Sequence, residues 1–165
     1  MKLLEKLRAQ PAWQSEDPSV RLDAVRRLPD DDEADDVLLD LARCDADPRV
    51  RRAAIERMTD LSGLVSLLQA PDVDTDTRSA AVEGVREVVV ETTDVKAVGD
   101  ALNALTDERN LGAIAKSSEA ESVGFAALER VVSDKVLSAV ARKARHMVVA
   151  LEAVRRLNDR LELLA

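Results

Sequence analysis

Apolar residues along the chain fall into short stripes with a fixed internal frame. Val20, Ala24 and Leu28 set the pattern, and Val50, Ala54, Met58, then Thr77, Ala81, Val85, then Val123, Ala127, Val131, then Val149, Ala153, Leu157 repeat it. Offsets of zero, four and eight lie within about 80° on a helix turning ~100° per residue, so each stripe predicts one helix with one buried face. A second stripe runs about 12 residues ahead of each later one: Leu38, Leu41, Ala42; Leu64, Leu67, Leu68; Leu111, Ile114, Ala115; Leu137, Val140, Ala141. The unit is therefore a pair of antiparallel helices. Successive second helices are separated by 30, 27, 46 and 26 residues, and the long interval leaves room for an extra helix near 94–105, with Val95, Val98, Leu102 and Leu105 at helical spacing. The expected units are 1–29, 34–59, 61–91, 107–132 and 134–164 of a single repeat domain, 1–165. Near residue 145 there is no Pro or Gly, so the last pair has the option of fusing into one long helix.

The repeats also align residue by residue. Asp17-Pro-Ser-Val-Arg and Asp47-Pro-Arg-Val-Arg open two of them, with Asp as N-cap and Pro at the first helical position, where its missing N–H is not needed. Asp74-Thr-Asp-Thr-Arg follows the same frame with Thr77 in the Val place. The fourth residue after the Val position is Ala in all five copies, and a small residue at the centre of a stripe lets another helix approach closely.

Composition agrees with helices and restricts the core. Among 165 residues only Trp13 and Phe125 are aromatic, so the core is aliphatic, and five Gly and five Pro are too few for a many-stranded β fold. One Cys and one His exclude a disulfide framework and a four-ligand Cys/His zinc site, so no cofactor or metal is expected. Cys44 reads as a small buried residue near a helix end. The longest apolar run, Met147–Leu151, is far below the ~20 residues a membrane span requires, and the first residues lack a secretory apolar segment. A cytoplasmic protein is expected.

The formal charge of −8 is uneven: residues 135–165 carry +4 and the rest −12. An acidic field opposes phosphate-backbone binding, so nucleic acid is disfavoured. Six acids in Asp30–Asp36 lack the spacing of a calcium loop and read as a solvated stretch that favours the next helix N-terminus. His146 falls on a helix with no nucleophile or phosphate loop in the chain, so enzyme chemistry is not expected. The seventh residue after the Val position reads Arg27, Arg57, Gly84, Arg130 and Arg156. Such a row has two readings: a docking line for an acidic segment of another protein, or border arginines whose stems cover apolar surface.

The frame Asp-x-x-Val-Arg-x-x-Ala-x-x-x-Leu resembles the second helix of a HEAT repeat. That resemblance implies an all-α fold, a right-handed α-α superhelix (solenoid) of HEAT-like pairs, with an armadillo-like helical architecture. It also implies a ladder between turns, carried here by Asp17, Arg21, Asp47, Arg51, Asp74 and Arg78. The later copies depart from it: Gly124 and Ala150 stand in place of the Arg, and Ala120 and His146 in place of the Asp. The segment Trp13–Arg21 is similar to the start of long bacterial proteins of unknown function, in which HEAT repeats precede extended helices. The function implied is a non-catalytic protein-binding scaffold. Bilin lyases and certain DNA glycosylases also use HEAT-like repeats, which makes a module that binds or modifies a cofactor or nucleic acid the alternative.

Overall fold

The computed structural model describes residues 10–163; residues 1–9 of the first expected unit, and Leu164 of the last, lie outside them. The described residues are all-α, without a strand. A 3-10 turn at Ala12–Gln14 precedes ten helices: α1 Pro18–Arg27, α2 Asp32–Cys44, α3 Pro48–Arg57, α4 Leu61–Gln69, α5 Thr75–Glu91, α6 Gly99–Ala104, α7 Glu108–Ser117, α8 Glu121–Glu129, α9 Asp134–Lys143 and α10 Met147–Leu163. Contacts divide the chain into two compact units, one ending at Ala81 and the other starting at Val82, with the boundary inside α5.

Helix starts follow the capping chemistry of the sequence. Asp17 and Asp47 accept from the N–H groups of Ser19 and Arg49, each at 2.8 Å, ahead of a Pro at the first position. Asp31 accepts from Ala34 N–H at 2.9 Å, and the acids Asp32, Glu33 and Asp35 fill the first turn of α2, where the helix dipole favours them. Asp60 caps α4 through the N–H groups of Ser62 and Gly63. Asp107 does the same for α7.

In the first unit the 3-10 turn packs on α1, α2 packs on α3, α1 on α3, and α2 on α4. In the second, α7 packs on α8, α9 on α10, α7 on α9, and α8 on α10. The same rule holds in both: the two helices of a pair touch each other, and each touches its counterpart in the neighbouring pair. Three-residue connections at 45–47, 118–120 and 144–146 make the joined helices antiparallel neighbours.

Packing explains the small central residue. Ala54, Ala127 and Ala153 are fully buried beside Val50, Val123 and Val149, also fully buried. Close approach recurs between α7 and α9, where a Cβ at Gly112 would overlap Val136. Thr77 is buried in a Val place without an orphan hydroxyl, because it donates to Asp74 Oδ2 at 2.6 Å and accepts from Arg51 Nε at 3.0 Å. The first copy differs: Ala24 is half-buried and Val20 is 42% exposed.

Three expectations change. The extra helix shrinks to Gly99–Ala104; Val98, Leu102 and Leu105 are buried, whereas Val95 lies exposed in the preceding turn. The last pair does not fuse. Ala144 leaves helical backbone at ψ 138°, and the break is held by long-range bonds, Arg145 N–H to the Lys116 carbonyl at 2.9 Å among them, so neither Pro nor Gly is needed. Cys44 is exposed, because six residues after buried Leu38 it faces away from the stripe of α2.

The contrast between copies is testable. Ala54→Leu overfills a closed contact and is expected to destabilise by ~1–3 kcal/mol. Ala24→Leu, on a half-open face, should leave the urea midpoint nearly unchanged. Circular dichroism unfolding curves compare the two.

Candidate functional site

The polar chemistry of the chain concentrates where one helix pair meets the next. Arg21 holds the carbonyls of Ser15 at 2.8 Å and Glu16 at 3.1 Å, and clamps Asp45 with two 2.7 Å bonds. Arg51 repeats the arrangement one pair later. It holds the carbonyls of Asp45 at 2.7 Å and Ala46 at 3.4 Å and pairs with Asp74 at 3.3 Å. In both, the carbonyls lie six and five residues before the arginine. Arg78 turns to backbone alone, holding the carbonyls of Leu68, Ala70 and Val73.

Of the six residues of the expected ladder, only Arg51 and Asp74 pair with each other. Arg21 pairs with Asp45, two residues before Asp47, because Asp47 is engaged as the cap of α3 and by Arg49 at 2.8 Å. Asp17 caps α1. Burial pushes the Asp45 carboxyl up, but the bonds from Arg21 and from Asp47 N–H outweigh it and leave the carboxyl below its ordinary range.

Where Gly124 replaces the arginine, the carbonyls six and five residues earlier belong to Ser118 and Glu119. His146 of the following pair takes them, with Nε2 at 3.0 and 3.1 Å. Both partners are acceptors, so Nε2 carries the proton. Gly124 is buried, and a Cβ there would stand 3.3 Å from the Ala115 carbonyl and 3.5 Å from Val149. An arginine has no room on this face, and the brace comes from the neighbour instead. His146 is thus engaged by the backbone of the preceding connection. Arg145 adds an ion pair to Glu119 at 2.7 Å.

The seventh-position arginines divide. Arg57 donates to the carbonyls of Val25, Arg26 and Leu28 at the end of α1, at 3.0–3.3 Å, and to Asp30 at 2.5 Å. Arg156 donates to the carbonyls of Leu128 and Val131 at the end of α8, each at 2.6 Å. Arg130 meets Asn103 Oδ1 at 2.9 Å and the Ala126 carbonyl at 2.7 Å. Arg27 is exposed and borders an open cleft of about 370 Å³ formed by Ala12, Trp13, Val20, Asp23, Ala24, Leu28 and Pro29. Three of the four arginines are therefore committed to their own chain.

Sequence reasoning passed over the outer face of α10. Met147, Val148, Leu151 and Val154 are 73%, 48%, 59% and 42% exposed, and their spacing keeps them on one side, opposite buried Val149 and Ala153. The signal was the apolar run Met147–Leu151, which is too continuous for a helix with a single buried face. Basic residues Arg142, Lys143, Arg145 and Arg155 are exposed near it in sequence. Among the described residues no three His, Cys, Asp or Glu form a group able to hold a metal ion. The Asp30–Asp36 stretch lines a shallow opening of about 500 Å³, where burial and then Asp60, Asp32, Asp31 and Asp36 push the Asp35 carboxyl up. No helix among the described residues is long and apolar enough to cross a membrane. No family model, curated protein or solved structure matches the chain.

Two measurements follow. Arg57→Met and Arg156→Met leave helix-end carbonyls without a charged donor and should each destabilise by about 1.5–3 kcal/mol, whereas Arg27→Met should change the urea midpoint little. Acid sensitivity has a defined sign. Asp74, hydrogen-bonded by Thr77 side chain and N–H and facing Arg51, and Asp47, held by Arg49, both titrate at about 2. A carboxyl depressed in the fold stabilises it above the unfolded value of about 4, and that stabilisation fades as pH falls through the folded value. Thermal midpoints should fall between pH ~4 and ~2, with a shallower fall for Asp74→Asn, whereas Asp35, shifted the other way, works against the trend.

Proposed function

We propose that the chain is a right-handed solenoid of HEAT-like helix pairs and acts as a non-catalytic protein-binding scaffold. The repeated contact rule in both units and the carbonyl braces at matched register support the architecture. The observation that carries the function is the exposed apolar stripe of α10. Stripes of this kind, rimmed by charge, suit a protein partner better than a solute. The basic residues beside it favour a partner whose apolar segment is flanked by acids. The row of seventh-position arginines contributes chiefly as bracing, with Arg27 left for contact.

The test is affinity capture from a native extract with the wild-type chain and with Leu151→Asp, at matched helicity. A defined partner held by the wild type and lost by the variant is the expected outcome. Equal capture by both, or none by either, would overturn the assignment of this face.

A further inference from the structure

The two open faces described above are complementary in repeat register. In α3 and in α10 the Val position and the central Ala are closed, Val50 and Ala54 in one, Val149 and Ala153 in the other. In each case a preceding second helix packs on the helix that carries them, α1 on α3 and α8 on α10. That preceding helix is buried in turn at its fifth residue after the Val position: Val25 is 0% exposed and Leu128 1%. The corresponding residue of α10 is Val154, 42% exposed. The receiving positions of α1 are Val20, also 42% exposed, and half-buried Ala24, both lining the Trp13 cleft. Each face lacks what the other offers.

Charge and the arginine register agree. The Arg57 guanidinium meets Asp30, which stands ten residues after the Val position of the preceding helix. Arg27 has the register of Arg57, and the residue ten after Val149 is Asp159, an exposed carboxylate. Since α10 runs on to Leu163, its carbonyls at Val154 and Leu157 stay within the helix, and the Asp159 carboxylate, which Arg155 of the same helix also holds at 2.6 Å, is the acceptor in register with Arg27. Acids Glu16, Asp17, Asp23 and Asp30 stand around the α1 cleft in sequence against Arg21, Arg26 and Arg27, a slight acidic excess, and residues 135–165 carry +4.

We propose that the cleft of α1 receives α10 of a second copy of this chain, Val154 and Leu151 seating on Val20, Ala24 and Trp13. The contact joins two different faces, so it continues from copy to copy. It rests on the stacked-pair reading and names the partner as the chain itself.

Sedimentation velocity over a wide concentration range, at low and high salt, tests it with Val20→Asp and Val154→Asp. Both substitutions fall on exposed positions, and circular dichroism checks that helicity is kept. The wild type should form a concentration-dependent series of oligomers that weakens with salt. Each variant alone should be monomeric. An equimolar mixture should give one species of twice the chain mass, because one variant keeps its α10 face and the other its α1 face. A wild type that stays monomeric throughout overturns the proposal, as does Val20→Asp that still dimerises alone, which would mean that α10 pairs with itself. A monomeric wild type that still captures a foreign protein through Leu151 would overturn the second copy as partner and leave the scaffold reading standing.

Discussion

A chain of short helices has many ends, and each end leaves backbone groups without a partner in the helix. Arginines reaching from one pair to the ends and connections of another resolve this here. Arg57 and Arg156 hold the last carbonyls of the preceding second helix, and Arg21 and Arg51 hold connection carbonyls while reaching an acid or hydroxyl of the next pair. Glu108 answers from the other polarity, accepting from Val132 and Ser133 N–H at 2.9 and 2.6 Å just ahead of α9. The same bonds satisfy helix ends and fix the offset between successive pairs. An aliphatic core alone is non-directional and would tolerate slippage of one helix along its neighbour.

Substitutions within the repeat are intelligible in these terms. Gly124 lets α8 lie close against α7 and α10 and removes a brace, and His146 restores it from the adjacent pair, at the position other copies give to a capping Asp. Thr77 replaces Val where Arg51 and Asp74 converge, and its hydroxyl completes their contact. Arg145 and Glu119 then supply an ion pair between connections where the Arg–Asp ladder has lapsed. Repeat degeneracy in the second unit is in this sense an exchange of donors at a fixed set of acceptors.

Much of this was legible in the sequence. Stripe spacing located nearly every helix, and Asp-Pro fixed the starts of α1 and α3 because capping is a local interaction. The break at 144–146 was not legible, since tertiary bonds to Lys116 and Ser118 hold it rather than local chemistry. Nor was the commitment of Arg57 and Arg156: a border arginine looks the same in sequence whether its head meets water, a partner or a helix end. Asp45 escaped notice as the partner of Arg21 because the repeat frame draws the eye to Asp47. The open faces of α1 and α10 could not be separated from closed ones by pattern, since both carry the same frame as their buried counterparts.

Central to this account is that the arginine braces couple neighbouring second helices, and native-state hydrogen exchange of Arg57→Met against the wild type tests it most directly. Loss of protection in both α1 and α3, which Arg57 joins directly through the carbonyls of Val25 and Arg26, is the expected result. Unchanged protection in α1, with any loss confined to α3, would contradict the account.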